Sequence, residues 1–372
     1  MARIAIVLNA SWNIWNFRLP LLQYLSDQGH EIIVIAPEDD YSSRIPWEFH
    51  HVKMVSRSTN PVTDLLIYKD LKRLFNKTHP DVVLLYTIKP NVYGNFAARQ
   101  LGIPSISNIA GLGSLFIQQN ITTRIAKLLY KFAMTAPVKI FFQNNEDMDQ
   151  FLSERIVPLE PCIRIPGSGV DLDRFKPAAL DDEEGESRPF IFLLFSRMLW
   201  DKGVGEYVEV ARRLISEGRD VEFRLLGFLD TDNPNAINQQ DMDKLCSDKS
   251  IVYLGVSDDV EHEIQTADCI VLPTYYREGV PRTLLEAAAM AKPIIATAVP
   301  GCRDVVDDGV TGYLCAPRDA NDLYQKMHDM IVLDDKERQA MGSLGREKMA
   351  KEFDQKFVFE KYAAAINEAL LL

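Results

Sequence analysis

Short apolar segments alternate with helical segments along the chain, and this alternation restricts the possible folds more than any other feature. Apolar runs such as residues 3–8 and 31–37 lack the polar residue at every second position that a half-exposed strand shows. Strands that are buried on both faces, with helices between them, form parallel sheets because each crossover carries a helix. The sequence therefore predicts an α/β protein with doubly wound parallel sheets.

The alternation occurs twice along the chain, and an irregular segment separates the two occurrences. This segment, residues 166–189, is rich in Gly, Pro and acidic side chains. The chain has 372 residues, more than a typical single domain. We predict an N-terminal Rossmann-like domain at residues 1–167 and a C-terminal one at residues 168–356, with a last helix at residues 357–372 packed back on the first domain.

Charge and cysteine content narrow the class of protein. Residues 1–180 carry 19 basic and 16 acidic side chains, whereas the remainder carries 22 and 37, so we do not expect nucleic acid to bind. Five cysteines without a CxxC pair favour a reducing compartment and argue against a zinc site. No apolar run reaches the ~18 residues of a membrane span, and the N-terminus lacks the pattern of a signal peptide. These features predict a cytosolic protein.

The stretch from Pro273 to Gly301 has the layout of a ligand-binding loop. It begins where a buried strand is expected to end and continues through Glu278 and Gly279 into a helix that starts near Pro281. The first turn of such a helix offers free N–H groups and the positive end of the helix dipole to an anion. Glu278 and Glu286 bracket that position, so each can meet hydroxyl groups of a nucleoside diphosphate sugar. The same pattern also fits an ordinary strand–loop–helix unit with surface glutamates.

Three further strand ends in the second half carry candidate groups, and ligands of open α/β sheets bind at that edge. Arg197 and Lys202 follow one strand and can clamp a diphosphate, although they also fit a solvated charged loop. Gly227 ends the next strand, where a small residue would leave room for a ligand. Backbone groups near Val256 could read a base, although capping by Ser257 or Asp258 explains that sequence equally well.

Several stretches together resemble a known family. SRMLWDKGV, YLGV, EGVPRTLLEAAAMAKPIIAT and GCRDVVDDGVTGYL are similar to the nucleotide-sugar domain of the family-four retaining glycosyltransferases. The resemblance implies the GT-B fold, in which two Rossmann-like domains face a central cleft. In the first half, WNFRLPLL, TIKPNVYG and GLGSLF resemble a narrower branch. That branch transfers sugars, often N-acetylhexosamines, onto undecaprenyl-diphosphate-linked saccharides in bacterial surface-glycan assembly.

The resemblance also implies roles for individual residues. Arg197 and Lys202 would bind the donor diphosphate, Glu286 the ribose hydroxyls, and Glu278 the transferred sugar. The predicted catalytic residues are Arg197, Lys202 and Glu278. The family keeps the anomeric configuration of the donor and generally needs no metal. The resemblance also implies a UDP-sugar as co-substrate and no cofactor. The predicted donor-binding residues are Gly227, Val256, Gly279, Val280, Pro281, Arg282 and Glu286.

On the acceptor side the assignments come from the first half of the chain. The predicted residues are Asn16, Arg18, Lys89, Asn91, Gly111 and Gly113. Many members of the family carry a histidine that faces the donor sugar in the region of TIKPNVYG, but this chain has Thr87 or Ile88 there. The first loop, NASWNIWN, lacks the glycine pair of many relatives, and small Ala10 and Ser11 are expected to replace it.

Two stretches suggest contact with a membrane surface. DLLIYKDLKRLFNK and TRIAKLLYKFAM combine apolar residues at helical spacing with lysines and arginines. A basic amphipathic helix can lie on anionic lipid, although such helices more commonly pack on their own core. Together with the lipid-linked acceptor that the resemblance implies, they predict peripheral binding at the inner face of the cell membrane.

The leading hypothesis is a retaining, metal-independent hexosyltransferase that uses a UDP-sugar and a polyprenyl-diphosphate-linked acceptor. One alternative is a GT-B transferase with another donor, such as GDP-mannose, or a soluble acceptor. A second is a UDP-sugar epimerase, and a third is an inactive subunit that binds a partner transferase. Rapid epimerisation of a UDP-sugar without acceptor would favour the epimerase. The sequence leaves the donor sugar, the linkage position and the oligomeric state open.

Overall fold

The chain forms two compact units. The computed structural model describes residues 1–54, 60–111, 121–177, 188–229 and 233–372, with side chains of the third range from residue 124 onward. Unit 1 comprises Met1–Ser168 and Lys356–Leu372, and unit 2 comprises Gly169–Gln355.

Unit 1 contains a parallel sheet of seven strands in the order β3-β2-β1-β4-β5-β6-β7. The strands are β1 (Arg3–Val7), β2 (Glu31–Ala36), β3 (Glu48–His51), β4 (Val82–Tyr86), β5 (Ser105–Ile109), β6 (Lys139–Phe142) and β7 (Cys162–Arg164). Its helices are α1 (Ser11–Phe17), α2 (Leu19–Asp27), α3 (Pro61–Thr78), α4 (Asn95–Leu101), α5 (Ile121–Ala133) and α6 (Asn145–Ser153). The chain order reverses between β1 and β4, which makes this pair the topological switch point of the sheet.

Unit 2 contains a parallel sheet of six strands in the order β10-β9-β8-β11-β12-β13. The strands are β8 (Phe190–Phe195), β9 (Val221–Leu226), β10 (Val252–Tyr253), β11 (Cys269–Leu272), β12 (Ile294–Thr297) and β13 (Gly312–Cys315). Its helices are α7 (Val204–Ser216), α8 (Gln239–Leu245), α9 (Val260–Thr266), α10 (Arg282–Ala289), α11 (Cys302–Val305), α12 (Ala320–Val332) and α13 (Asp335–Lys348). The switch point of this sheet lies between β8 and β11.

The predicted fold class is confirmed, because both sheets are parallel and doubly wound. The central strands are buried on both faces: all five residues of β4 are at most 2% exposed, as are the last five of β2. Burial of this kind is why the apolar runs in the sequence carry no polar alternation. Strand β3, with the sequence EFHH, was not predicted, since it is short, polar and partly exposed at the edge of the sheet.

The last helix, α14 (Gln355–Ala369), belongs to the core of unit 1. Its buried residues Val358, Tyr362 and Ile366 join the cluster formed by one face of the unit 1 sheet. The ring of Tyr362 packs edge-on against Phe141 at a centroid distance of 4.6 Å, and its hydroxyl accepts a hydrogen bond of 3.0 Å from the Asn108 side chain. A segment made after all of unit 2 therefore completes the hydrophobic core of unit 1.

Within the described residues, helices long and apolar enough to cross a membrane are not found.

Candidate active site

The loop after β8 places Lys202 against the loop after β11. A 3-10 turn, Trp200–Lys202, ends at Gly203, whose φ of +78° is a conformation that glycine adopts without strain. A Cβ atom at Gly203 would collide with the carbonyl oxygen of Pro273, which follows β11. The glycine therefore allows the two loops of the switch point to approach closely.

Lys202 forms an ion pair with Glu278. The Nζ atom contacts Oε1 of Glu278, and the two side chains are 9% and 13% exposed. The same ammonium lies 5.3 Å from the centroid of the Tyr276 ring, within range of a cation–π interaction. The sequence suggested a separate ligand for each of the two charges, but the structure pairs them with each other.

Asp201 joins the two loops through its backbone and its buried side chain. Its carbonyl oxygen accepts hydrogen bonds from the backbone N–H groups of Tyr275 and Tyr276, at 3.0 and 3.1 Å. Its side chain accepts a hydrogen bond of 3.3 Å from Asn235. Burial raises the pKa of this carboxyl group, against the lowering effects of Asn235 and the nearby cations Lys202 and Arg197. Asp201 was not among the predicted site residues, although its place beside a candidate catalytic lysine was a signal in the sequence.

Helix α10 begins next to this ion pair. Its N-cap is Pro281, and among the described residues no side chain caps its first turn. The Thr283 hydroxyl donates a hydrogen bond of 3.0 Å to the carbonyl oxygen of Phe195, the last residue of β8. This bond fixes the helix N-terminus beside the loop of Arg197 and Lys202. The N-terminus of a helix in that position suits a phosphate group.

Glu286 lies on α10 and pairs with Arg282. The Glu286 Oε1 atom is 2.9 Å from Nε and 2.8 Å from Nη2 of Arg282, and the Glu286 side chain is 13% exposed. Burial raises the pKa of Glu286, whereas the Arg282 charge opposes that rise. A carboxylate held in this way offers its second oxygen as a hydrogen-bond acceptor for hydroxyl groups.

The loop of residues 279–281 packs closely against Gly301. A Cβ atom at Gly301, where φ is +79°, would collide with the carbonyl oxygen of Gly279. Val280 and Pro281 are buried, and Val280 packs into the main core cluster of unit 2. The candidate donor-binding backbone of residues 279–281 is thus packed against the core of unit 2.

Gly227 and Val256 differ in their surroundings. A Cβ atom at Gly227 would collide with the carbonyl oxygen of Ser196, so this position excludes any side chain. Glycine at this position allows the end of β9 to pack against the end of β8. Val256 is 69% exposed on the loop after β10. The N-cap of the following helix is Asp259, so the expectation of Ser257 or Asp258 as the cap was wrong.

In unit 1, Lys89 and Thr87 lie at the carboxyl end of β4. The Lys89 ammonium is 2.8 Å from Oδ1 of Asp64 on α3, and the Tyr93 hydroxyl donates to Oδ2 of the same carboxylate at 2.8 Å. Thr87, Ile88, Lys89 and Asn9 line a cavity of about 90 Å³. Thr87 has a φ of +65°, an uncommon value for a β-branched residue, and its buried hydroxyl has no hydrogen-bond partner among the described residues. The cavity lies in the TIKPNVYG region, where the resemblance implied a histidine and this chain has Thr87 or Ile88.

The other acceptor-side candidates have varied environments. Arg18 is 7% exposed and lies over the ring of Tyr86. Asn91 is buried and donates its amide to the carbonyl oxygen of Asn108 at 2.8 Å, which makes it a support for β5. Asn16 bonds back to Trp12 within its own helix at 2.9 Å, and Gly111 adopts a φ of +105° after β5. Gly113 lies outside the described residues.

Ser11, expected to replace a glycine of the first loop, forms hydrogen bonds within the protein. Its hydroxyl donates to the carbonyl oxygen of Pro37 at 2.7 Å and lies 2.9 Å from the Ser42 hydroxyl. In the part of the chain that the structure describes, groups of three or more His, Cys, Asp or Glu side chains placed to hold a metal ion are not found.

Comparison with known proteins gives matches over both halves of the chain. The family model described as glycosyl transferases group 1 matches residues 178–348, and the one described as glycosyl transferase 4-like matches residues 3–144.

Two curated relatives align over most of their length and of this chain. An N,N'-diacetylbacillosaminyl-diphospho-undecaprenol alpha-1,3-N-acetylgalactosaminyltransferase from Campylobacter jejuni is 26% identical, with 97% of each chain covered. A UDP-Gal:alpha-D-GlcNAc-diphosphoundecaprenol alpha-1,3-galactosyltransferase from Escherichia coli is 25% identical, over 83% of this chain and 87% of the relative. Among solved structures, a glycosyltransferase from Rickettsia africae superposes with a TM-score of 0.81 at 22% identity, over 99% of this chain and 98% of that chain.

Proposed function

This chain belongs to the glycosyltransferases of the group 1 and 4-like families, and from that premise we propose that it moves a sugar from UDP to a hydroxyl group of an undecaprenyl-diphosphate-linked saccharide. Both curated relatives are named for transfer to a saccharide on diphospho-undecaprenol, which supports this class of acceptor. One is named as an N-acetylgalactosaminyltransferase and the other for UDP-Gal. The donor sugar that we propose is an N-acetylhexosamine.

The observation that carries the proposal is the Lys202–Glu278 ion pair beside the N-terminus of α10. The switch point of a parallel sheet is where such proteins bind ligands. A cation there can bind the negatively charged diphosphate of a nucleotide sugar, and a neighbouring carboxylate can accept hydrogen bonds from the sugar. Lys202 with Arg197 would bind the diphosphate, and Glu278 would bind hydroxyl groups of the sugar. Glu286, on the far side of the helix N-terminus, would accept hydrogen bonds from the ribose.

Binding of the donor would exchange partners within the site. The diphosphate would replace Glu278 as the counter-ion of Lys202, because two adjacent phosphates carry more negative charge than one carboxylate. Glu278 would then be released to accept hydrogen bonds from the sugar. In this scheme the ion pair holds both groups in position before the substrate arrives, which is the preorganisation that electrostatic catalysis requires.

The chemical step would depend on charge stabilisation at the leaving group. Negative charge builds on the diphosphate as the glycosidic bond breaks, and Lys202, Arg197 and the N–H groups of α10 would stabilise it. The acceptor hydroxyl would attack from the face that the diphosphate leaves, so the anomeric configuration would be retained. The leaving diphosphate would take the proton of that hydroxyl, and Glu278 would not act as a general base.

The test is a transfer assay with the purified protein. UDP-sugars and GDP-mannose are each incubated with a synthetic polyprenyl-diphosphate-linked saccharide, and the product is examined by mass spectrometry and by NMR of its anomeric proton. We expect transfer from a UDP-N-acetylhexosamine with retained configuration. Transfer from GDP-mannose alone, inverted configuration, or epimerisation of a UDP-sugar without acceptor would each contradict the proposal.

We also propose that unit 1 binds an anionic membrane surface at the cytoplasmic face. Ile125, Leu128 and Phe132 are 55%, 55% and 60% exposed. Their spacing places them on one face of α5. Exposed basic residues Arg124 and Lys131 lie on the same helix. An apolar face with flanking basic residues is the pattern of an interfacial helix.

A similar apolar segment lies at the start of α3, where Val62, Leu65 and Leu66 are 67%, 52% and 54% exposed. Exposed basic residues Lys69 and Arg73 follow on the same helix. Two such helices in one unit support a shared contact with lipid, to which each basic residue near the surface adds about 1 kcal/mol.

Vesicle co-sedimentation tests this part of the proposal. The double variant Leu128→Gln/Phe132→Gln should lose binding to anionic vesicles and keep its thermal stability, because both side chains are already exposed. Val332→Gln is a matched control, since Val332 is 64% exposed on α12 of unit 2. Failure of the wild-type protein to bind anionic vesicles at low salt would overturn the membrane assignment.

A further inference from the structure

Arg18 is a buried cation with no counter-ion among the described residues. It is 7% exposed, and its Nε atom is buried with no hydrogen-bond partner among the described residues. Its contact is with the ring of Tyr86, whose centroid lies 4.4 Å from the guanidinium carbon. Arg18 stands between α1 and α2, and Tyr86 is the last residue of β4.

Two other cations are buried in the described part of the chain, and both are paired. Lys89 pairs with Asp64 at 2.8 Å, and Lys202 pairs with Glu278. A buried charge is normally compensated in this way, because removal from water is unfavourable for an unpaired ion. Stacking on Tyr86 offsets part of that cost for Arg18, but it leaves the buried Nε–H donor without an acceptor among the described residues. The unmet charge therefore points to an anionic ligand.

The position of Arg18 fits a ligand site. Tyr86 ends β4, and β4 with β1 forms the switch point of the unit 1 sheet. A cavity at this switch point is lined by Asn9 and Thr87, which follow β1 and β4. Ligands of doubly wound sheets bind outside the carboxyl ends of the strands at this point.

We propose that Arg18 binds the diphosphate of the lipid-linked acceptor. This assignment rests on the proposed function, in which the acceptor carries a diphosphate. A planar guanidinium can bind two phosphate oxygens at once, which makes arginine well suited to this group. The donor also carries a diphosphate, but unit 2 already offers Arg197, Lys202 and the start of α10 for that one. Arg18 lies in unit 1, which also carries the exposed apolar faces of α3 and α5.

The test compares Arg18→Gln and Arg18→Lys with the wild-type protein on two acceptors. One acceptor is the saccharide on a short polyprenyl diphosphate, and the other is the same saccharide as an alkyl glycoside without phosphate. Loss of a charge-assisted hydrogen-bonded contact should raise KM for the diphosphate acceptor by about 10- to 150-fold in Arg18→Gln. KM for the UDP-sugar and the rate with the alkyl glycoside should stay at wild-type values. Arg18→Lys should restore part of the loss, since it keeps the charge but not the fork.

Other kinetic outcomes would overturn the proposal. A higher KM for the UDP-sugar, with the acceptor KM unchanged, would assign Arg18 to the donor diphosphate. An equal loss with both acceptors would give Arg18 a purely structural role. Arg99→Gln is the matched control, because Arg99 is exposed on α4 of the same unit and should leave all constants unchanged.

Two measurements do not depend on transfer and separate this inference from the proposed function. Farnesyl diphosphate should bind the wild-type protein and bind Arg18→Gln at least tenfold more weakly, even if no sugar is transferred. The melting temperature of Arg18→Gln without ligand should equal or exceed that of the wild type, because the substitution removes an uncompensated buried charge. Equal binding of farnesyl diphosphate, or a melting temperature several degrees lower, would overturn the assignment.

Discussion

Replacement of Lys202 by methionine should impair both the reaction and the fold of unit 2, for different reasons. In the reaction it removes one preorganised cation from the leaving diphosphate. Removal of one such group typically costs ~3 kcal/mol in the transition state, so kcat should fall about a hundredfold or more. In the fold it removes the cation that contacts Oε1 of Glu278, a side chain that is 13% exposed.

The loss of stability follows from the burial of the pair. Breaking a buried ion pair from one side costs about 3–5 kcal/mol, because the remaining charge is uncompensated. For a unit of this size, 1 kcal/mol corresponds to about 2–4 °C in melting temperature. The transition of unit 2 in Lys202→Met should therefore move down by about 6–20 °C.

The double variant Lys202→Met/Glu278→Gln separates the two effects. With both members of the pair made neutral, neither is left charged opposite a neutral partner, so the melting temperature should return to within about 3 °C of the wild type. Turnover should stay at least a hundredfold low, because the cation is still missing. Calorimetry gives the first quantity and release of UDP the second. If turnover recovers together with the melting temperature, or if Lys202→Met turns over at near wild-type rates, Lys202 has no catalytic role.

Thr87→Asn should raise the free energy of unfolding by about 1 kcal/mol, since asparagine tolerates the φ of +65° better than threonine; an unchanged denaturation midpoint would contradict strain at this residue. Gly227→Ala should cost about 2–4 kcal/mol in chemical denaturation, because the new methyl group meets the carbonyl oxygen of Ser196; stability at the wild-type level would show that the strand ends can separate. Arg282→Gln should raise the pKa of Glu286 further, because Arg282 opposes the effect of burial. Since the folded pKa then lies above the ordinary value of 4.5, the free energy of unfolding should fall as pH rises above 4.5. A pH profile of stability equal to that of the wild type would contradict the pairing of Arg282 with Glu286.

Much of the fold was predictable because it depends on local pattern. The stretch DLLIYKDLKRLFNK, with its apolar residues at helical spacing, lies within α3, Pro61–Thr78, whose N-cap Asn60 accepts a hydrogen bond from Val62. Runs of apolar residues gave the buried strands directly. Strand β3 was missed because a short edge strand with partly exposed polar residues has no such run.

The candidate site was predictable only in part, since pairing depends on residues distant in sequence. Lys202 and Glu278 were each singled out, but their contact depends on which strands are neighbours in the sheet. The strained backbone of Thr87 leaves no mark in the sequence, because threonine is not a residue that signals a positive φ. The isolation of Arg18 was equally hidden, since the burial of its Nε atom without a partner among the described residues is a property of the packed unit.

The position of α14 has a consequence for the order in which the chain becomes stable during translation. The ribosome makes residues 1–168 first, yet Val358, Tyr362 and Ile366 are needed to close the core of that unit. Until the ribosome has made all of unit 2 and then α14, unit 1 carries an apolar groove exposed to water, and chaperones recognise such surfaces. A chain that stops anywhere before α14 leaves this groove open, even if unit 2 has folded. The molecule thus couples the stability of its first-made unit to the synthesis of a helix that follows unit 2.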